Sequence, residues 1–243
     1  MFNKHVAMQH YGVDNEKDLR EKITGERSAI TNEEINTIFE CLENFDNPVY
    51  AEIGVYFGGT FSKVLRYLKH NKNKYWAHGF DLFEDLQNEK FGENQTHDIK
   101  NKWNILNVAF MSELEEKLKD KGFKFFTLHK GYSDKKVDEI DININVGFID
   151  GNHTYNQTKL DFESILKKCK KGSIIVFDNS SNNIEPDPRY VALDGGPWKV
   201  CEELKKDSRV EHIKQVHRCN FFSVNWGMSY ERKTNSKPVF NLL

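Results

Sequence analysis

The chain has 243 residues, 38% of them hydrophobic and 30% charged, and its formal net charge at pH 7 is −2. This length can bury one full hydrophobic core. The balanced charge gives no general footprint for nucleic acid or an anionic membrane, so we expect neither partner. The four cysteines lack C-x-x-C spacing, which argues against a zinc ribbon or a disulfide framework. Because the start lacks an apolar signal core and no apolar run approaches transmembrane length, we predict a cytoplasmic protein.

Strand-like and helix-like patterns alternate along most of the chain. The first helix begins at a capping box, Thr31-Asn32-Glu33-Glu34, followed by apolar residues that share one face. Because only His217-Arg218 separates the last two strands, we expect them to form an antiparallel hairpin. The alternation predicts an α/β fold with a doubly wound, mostly parallel seven-stranded sheet and helices on both faces. The predicted strands are 49–53, 75–80, 123–128, 146–149, 173–177, 210–216 and 219–224, and the predicted helices are 60–68, 112–118, 155–169 and 197–204.

Polar residues directly follow two of the predicted strands. Asp150 comes after the strand 146–149, and Asp178 and Asn179 come after the next one. If these strands are neighbours, the three side chains converge at the carboxyl edge of the sheet, where oxygen donors suit Mg²⁺ or a similar cation. His153 would face the same crevice and could accept a proton near neutral pH. Asp and Asn also begin turns and cap helices, so each segment alone has a structural explanation as well.

A glycine-containing turn ends the first strand and opens the next helix. Its sequence is Gly54-Val55-Tyr56-Phe57-Gly58-Gly59-Thr60. Glycines there let the backbone approach a ligand, and the helix amino end favours an anionic group. The order matches neither G-x-G-x-x-G nor a G-K-[ST] phosphate loop, which disfavours a nicotinamide enzyme and a nucleotide phosphate site. Asp81, after the second strand, stands where an acidic side chain can bind both ribose hydroxyls, although a turn residue is an equal explanation.

Taken in order, these features resemble a known family. An E-x-G-x-x-x-G first strand, an acidic end to the second strand and a terminal antiparallel pair are similar to class I S-adenosylmethionine-dependent methyltransferases. An Asp after the fourth strand and an Asp-Asn after the fifth resemble the metal-dependent O-methyltransferases of the catechol type. Residues 79–86 and 149–155 resemble more specifically the bacterial sugar and macrolide-glycoside O-methyltransferases, and the whole resemblance spans residues 48–225. It implies a Rossmann-like methyltransferase fold.

The resemblance implies a role for each matching residue. Asp81 would bind the ribose of S-adenosyl-L-methionine, and Ser133 would contact its adenine. His153 stands where the family has its general base. The implied reaction transfers a methyl group to a hydroxyl of a small molecule or sugar, with a vicinal diol as a fitting acceptor. The full implied cofactor set is Glu52, Gly54, Tyr56, Gly58, Thr60, Asp81, Ser133 and Asp150, and the implied ligands of Mg²⁺ or Mn²⁺ are Asp150, Asp178 and Asn179.

Two departures from the family pattern leave alternatives open. The segment 80–87 lacks the Gly and Pro of the F-D-x-F-E-G-L-P pattern of the sugar enzymes, and Asn179 stands where several of them have a second Asp. A metal-independent methyltransferase with another acceptor would keep the same fold, and so would a non-catalytic S-adenosylmethionine-binding protein.

Three regions are expected along the chain. Residues 1–46 would form an N-terminal arm and helix that act as a lid or an oligomer contact, which leaves room for a homodimer. Residues 47–226 would form the methyltransferase domain, and residues 227–243 a C-terminal tail. The segments 84–111 and 180–196 are too long and polar to be simple connections, and we expect them to define the acceptor.

Overall fold

The structure is a computed structural model, and it describes residues 30–88, 110–181 and 196–225. Its seven strands are β1 (Val49–Ile53), β2 (Trp76–Asp81), β3 (Phe126–Lys130), β4 (Ile144–Ile149), β5 (Cys169–Phe177), β6 (Val210–Val216) and β7 (Cys219–Val224). They form one sheet in the order β3-β2-β1-β4-β5-β7-β6. The pairs among β1 to β5 are parallel, whereas β7 runs antiparallel to both β5 and β6. The predicted sheet and its closing hairpin are confirmed.

Helices cover both faces of this sheet. They are α1 (Asn32–Glu43), α2 (Gly59–Asn71), α3 (Met111–Asp120), α4 (Ser133–Lys136), α5 (Tyr155–Lys167) and α6 (Gly196–Leu204), with 3₁₀ turns at Phe83–Asn88 and Val137–Glu139. One hydrophobic cluster lies under α1, α2 and α3, and a second lies under α5 and α6. Every residue of β1 is buried, as expected for a central parallel strand with helices on both sides. Within the described residues, no helix has both the length and the hydropathy needed to cross a membrane.

The helix α1 begins at the predicted capping box. The N–H of Glu34 donates to the Thr31 hydroxyl at 3.2 Å, and the N–H of Thr31 donates to the Glu34 carboxylate at 2.6 Å. The apolar face of α1, with Ile38 and Leu42, joins the cluster that also contains the buried face of α2. The division of the chain into three regions stays a prediction, because residues 1–29 and 226–243 lie outside the described residues.

The predicted start of the third strand is wrong. β3 begins at Phe126, whereas the apolar pattern placed it at Phe123. The Phe123 N–H donates to the Leu118 carbonyl at 3.1 Å, which closes the end of α3. Phe123 is therefore a buried residue of the helix end rather than of the strand.

The predicted boundary between the last long helix and β5 is also wrong. The helix α5 ends at Lys167, and β5 begins at Cys169, which the helical pattern had included in the helix. The Ile144 N–H donates to the Lys168 carbonyl at 2.8 Å, and the Ser173 hydroxyl donates to the Ile144 carbonyl at 2.7 Å. These bonds to β4 draw the polar segment before Ser173 into the sheet, so sheet pairing overrides the local helical periodicity.

The register of the strands places the predicted site at one edge. Ile53 pairs with Phe80 on one side and with Ile149 on the other, and Ile149 pairs with Phe177. The parallel strands β2, β1, β4 and β5 therefore end at the same level of the sheet. Three residues singled out in the sequence directly follow these ends, namely Gly54, Asp150 and Asp178, and a fourth, Asp81, is the last residue of β2.

Candidate active site

The turn after β1 has a conformation that requires glycine at its first position. Gly54 has a φ of +86°, and its N–H donates to the Phe80 carbonyl at 2.9 Å. A Cβ on Gly54 would lie 2.8 Å from the Gly151 nitrogen and would overlap the carbonyl oxygen of Asp150. The turn therefore packs directly on the backbone that follows β4, which brings the predicted cofactor turn and the predicted metal ligands together.

Asp81 ties this turn to the segment after β2. Its carboxylate accepts the N–H of Tyr56 at 2.7 Å and the N–H of Phe83 at 2.9 Å. Burial raises the pKa of Asp81, while these backbone donors act in the opposite direction. Asp81 thus lies at the glycine turn, and its contact with a ribose stays a prediction.

Glu52 lies behind the turn and is 1% exposed. Its carboxyl group accepts the Tyr50 hydroxyl at 2.7 Å and the N–H of Phe61 in the first turn of α2. Burial raises the pKa of Glu52 well above its ordinary value. Glu52 therefore supports the start of α2 from inside the protein.

The other residues predicted for the cofactor surround the same turn. Tyr56 is exposed and contacts the Phe57 ring edge-on, at 4.3 Å between centroids. Gly58 packs against Leu114 of α3, because a Cβ there would lie 2.8 Å from a Leu114 methyl carbon. Thr60 is buried in the first turn of α2.

Ser133 opens α4 after β3, and its hydroxyl donates to Asp161 of α5. Gln157 donates to the same carboxylate oxygen at 2.8 Å. The other carboxylate oxygen of Asp161 is buried and has no partner within the part of the chain that the structure describes. Burial raises the pKa of Asp161 to about 6. The sequence analysis did not single out Asp161, because one polar residue inside a helical pattern carries no motif.

Asp150 and Asp178 converge at the ends of β4 and β5, as the two segments predicted. The two carboxyl groups are close enough to share a hydrogen bond. Burial raises the pKa of both groups well above the ordinary value for Asp. The nearby protein groups therefore compensate this negative charge only in part, and the pair favours either a shared proton or a bound cation.

Asn179 contacts both the acidic pair and a cationic side chain that the sequence analysis missed. Its amide nitrogen donates to Asp178 Oδ2 at 2.9 Å, and its amide oxygen accepts from Arg218 Nη1 at 3.2 Å. Arg218 Nη2 also lies 3.9 Å from Asp178 Oδ1. The oxygen with which Asn179 would bind a metal therefore already accepts a hydrogen bond from a guanidinium group.

His153 faces the acidic pair. Its Nε2 lies 3.2 Å from Asp150 Oδ1, and its side chain is 11% exposed. Burial lowers the pKa of His153, which favours its neutral form. The N-cap of α5 is Thr154 and not His153, and Gly196 of α6 packs against the carbonyl of His153. The segment is thus held between the starts of two helices.

A second group of ligand atoms adjoins Asp178. Single donor atoms of Glu34, Asp178 and Cys219 lie within 4.8 Å of one another, and all three residues are buried. The Cys219 thiol donates to Asp178 Oδ1 at 3.4 Å, and burial raises the pKa of Cys219 well above its ordinary value. These residues therefore extend the acidic region on the side of Asp178 that faces α1. In the sequence analysis, Glu34 had only a local role, as a member of the capping box that begins at Thr31.

The chemistry of these donors fits a hard divalent cation. The buried carboxyl group of Asp178, the partly buried carboxyl group of Asp150 and the amide oxygen of Asn179 are ligand types that Mg²⁺ and Mn²⁺ take in proteins. The raised pKa values of Asp150 and Asp178 show negative charge that a cation would offset. For Asn179 to bind the ion, its amide oxygen would first have to lose the hydrogen bond that it accepts from Arg218.

Comparisons with known proteins identify the family and the fold of the chain. Residues 51–180 match the protein family described as "Methyltransferase domain". The chain belongs to this family, because the match spans more than half of its length. No curated protein sequence matches the chain.

Solved structures with this fold include three methyltransferases whose sequence identity to this chain is low. The O-methyltransferase NovP is 15% identical with a TM-score of 0.62, over 85% of this chain and 89% of that one. The O-methyltransferase TomG from Streptomyces achromogenes, in complex with SAM, is 15% identical with a TM-score of 0.57, and the match covers 90% of this chain and 86% of that one. The MycE methyltransferase, in complex with Mg and SAH, is 14% identical with a TM-score of 0.54, and the match covers 92% of this chain and 56% of that one. The resemblance to class I methyltransferases, first stated from the sequence, is confirmed.

Proposed function

We propose that this chain is an S-adenosylmethionine-dependent O-methyltransferase that methylates a hydroxyl of a small molecule or sugar with the help of Mg²⁺ or Mn²⁺. The observation that carries the proposal is the convergence of Asp150, Asp178 and His153 beside the glycine turn, at one edge of the sheet. The complexes of TomG with SAM and of MycE with Mg and SAH support both the cofactor and the metal.

Acidic residues at the ends of β1, β2 and β4, namely Glu52, Asp81 and Asp150, suit a positively charged cofactor. S-adenosylmethionine supplies a methyl group that is attached to a cationic sulfonium. The charges of Asp81 and Asp150 raise the pKa of Glu52, and the charge of Asp81 raises the pKa of Asp150. A cationic ligand beside these groups would relieve their mutual repulsion. Gly54 and Gly58 would leave room for its methionine part, and Ser133 would contact its adenine.

The residues at the ends of β4 and β5 would prepare the acceptor. A bound divalent cation lowers the pKa of a hydroxyl that it contacts and fixes its direction. Asp150 and Asp178 would hold this ion with carboxylate oxygens, and Asn179 with its amide oxygen. Burial lowers the pKa of His153, which favours the neutral imidazole, and this imidazole would accept the hydroxyl proton. Two adjacent hydroxyls would fit such a site, so a vicinal diol is the proposed acceptor.

A second candidate is a metal-independent methyltransferase, and one observation favours it. The guanidinium of Arg218 already places a positive charge at Asn179 and Asp178. In that case Asp150 and Asp178 would shape the pocket, and the acceptor would be activated without a metal ion.

The test combines cofactor binding with methyl transfer. S-adenosylhomocysteine binding is measured by calorimetry. Transfer from labelled S-adenosylmethionine to a panel of diols is then measured with and without EDTA. We expect binding, loss of transfer in EDTA and recovery with Mg²⁺, and we expect Asp178→Asn to lose transfer while the exposed-site control Asp120→Asn keeps it.

The other outcomes identify the alternatives. Full transfer in excess EDTA would establish the metal-independent enzyme. Tight binding of S-adenosylhomocysteine without transfer to any acceptor would favour a non-catalytic binding protein. No binding of either cofactor form would refute the proposal.

A further inference from the structure

Arg218 reaches the acidic pair from a distant part of the chain. It lies in the two-residue turn between β6 and β7. Its guanidinium donates to Asn179 Oδ1 at 3.2 Å and lies 3.9 Å from Asp178 Oδ1. Neither the glycine turn nor the proposed transfer reaction requires this residue, so its position calls for a separate explanation.

The backbone of Arg218 is held firmly on both sides. Its N–H donates to Glu34 Oε1 at 2.8 Å, and its carbonyl accepts the Ser180 N–H at 2.8 Å. Glu34 is itself buried at the start of α1. By contrast, the side chain of Arg218 is 32% exposed. The guanidinium therefore borders solvent, while hydrogen bonds hold the backbone of the turn that carries it.

The charge of Arg218 acts on both members of the acidic pair. It lowers the pKa of Asp150 and of Asp178, against the larger effect of burial, which raises both. Arg218 thus offsets part of the negative charge that would attract a divalent cation. It also uses the Asn179 oxygen, which such an ion would need. A guanidinium and a divalent cation carry charges of the same sign, and both would use the Asn179 oxygen.

We propose that Arg218 is a built-in cation of the acidic site and that Mg²⁺ or Mn²⁺ binds well only when its guanidinium is displaced. Arg218 then sets the affinity of the site for metal and the ion concentration at which the enzyme works. The proposal rests on the proposed function only in that the metal site is the one formed by Asp150, Asp178 and Asn179.

The experiment measures Mn²⁺ binding by electron paramagnetic resonance of the free ion, on the whole chain and without cofactor. Arg218→Gln removes the charge but keeps a polar side chain, and Arg218→Lys keeps the charge. Arg209→Gln is the matched control, because Arg209 pairs with Glu163 and Asp207 away from this site. Circular dichroism checks that each variant is folded.

We expect Arg218→Gln to bind Mn²⁺ at least about tenfold more tightly than the unmodified protein, since one charge within 4–6 Å changes a carboxyl pKa by about 1–3 units. Arg218→Lys and Arg209→Gln should bind within about threefold of the unmodified protein. Adding Asp178→Ala to Arg218→Gln should abolish the gained binding.

The opposite results overturn the proposal. If Arg218→Gln binds Mn²⁺ no more tightly than the unmodified protein while Asp178→Ala still abolishes binding, the competition is refuted and the metal site stands. If no variant binds Mn²⁺ but S-adenosylhomocysteine still binds by calorimetry, both the competition and the metal-dependent form of the proposed function are refuted. Equal tightening in Arg209→Gln would show a general charge effect and would also overturn the proposal.

Discussion

The close packing of the glycine turn on the end of β4 can be tested with one pair of substitutions. Gly54 and Gly172 have nearly equal backbone conformations, with φ of +86° and +88°. A Cβ on Gly54 would overlap the Asp150 carbonyl oxygen, whereas a Cβ on Gly172 would meet nothing within 4 Å. Replacing each glycine with alanine therefore imposes the same backbone cost, and only Gly54→Ala adds a collision.

The expected magnitudes follow from these two contributions. An L-residue in the left-handed region costs about 1–2 kcal/mol, so Gly172→Ala should lower the free energy of unfolding by about that amount. Forcing an extra carbon into a packed region adds about 1–3 kcal/mol, so Gly54→Ala should cost about 2–5 kcal/mol. Because relief of the collision must move the turn away from Asp150, Gly54→Ala should also weaken S-adenosylhomocysteine binding, while Gly172→Ala should not.

Urea unfolding followed by circular dichroism gives the two free energies, and calorimetry gives the two affinities. Equal losses of stability in the two variants would refute the close approach of the turn to Asp150. Unchanged affinity in a folded Gly54→Ala would remove the turn from the cofactor site.

Three further predictions concern single side chains. His153→Ala should lower turnover by about 10²–10⁴-fold with little change in cofactor affinity, and near-normal turnover in steady-state kinetics would remove His153 as the base. Asp81→Ala should weaken S-adenosylhomocysteine binding by about 1–3 kcal/mol in calorimetry, and an unchanged affinity would show that Asp81 serves neither the turn nor the ribose. Burial and the neighbouring His129 lower the pKa of His78 to about 3, whereas the unfolded chain binds this proton near 6.5. The contribution of His78 to stability should therefore be lost as the pH drops from about 6.5 toward 3. In urea titrations over this range, the stability of His78→Asn should change with pH by a different slope from that of the unmodified protein, in the direction of greater relative stability at low pH; an equal slope would contradict the assignment.

Local patterns in the sequence predicted most of the framework. The strands β1, β6 and β7 have the predicted bounds, and the capping box at Thr31 opens α1. These features depend on neighbours along the chain, namely apolar runs, side-chain caps and a two-residue turn. Two boundaries failed. At Cys169, contacts with β4 override the local helical pattern, and at Phe123, the closing bond of the preceding helix keeps an apolar residue out of the strand.

The sequence by itself also predicted that Asp150, Asp178 and His153 share one edge. Parallel strands end at a common level, Asp150 and Asp178 directly follow strands, and His153 comes three residues after Asp150. Only the tertiary structure decided what surrounds them. Arg218 contacts Asn179, which lies 39 residues earlier in the sequence, and Glu34, which lies 184 residues earlier. These contacts form because β7 lies antiparallel beside β5 and because α1 packs against the turn between β6 and β7. No local pattern encodes such a contact, since it depends on which elements the whole sheet brings side by side. The residues proposed to bind the ion were therefore predictable from the chain, whereas the guanidinium group proposed to compete with it was not.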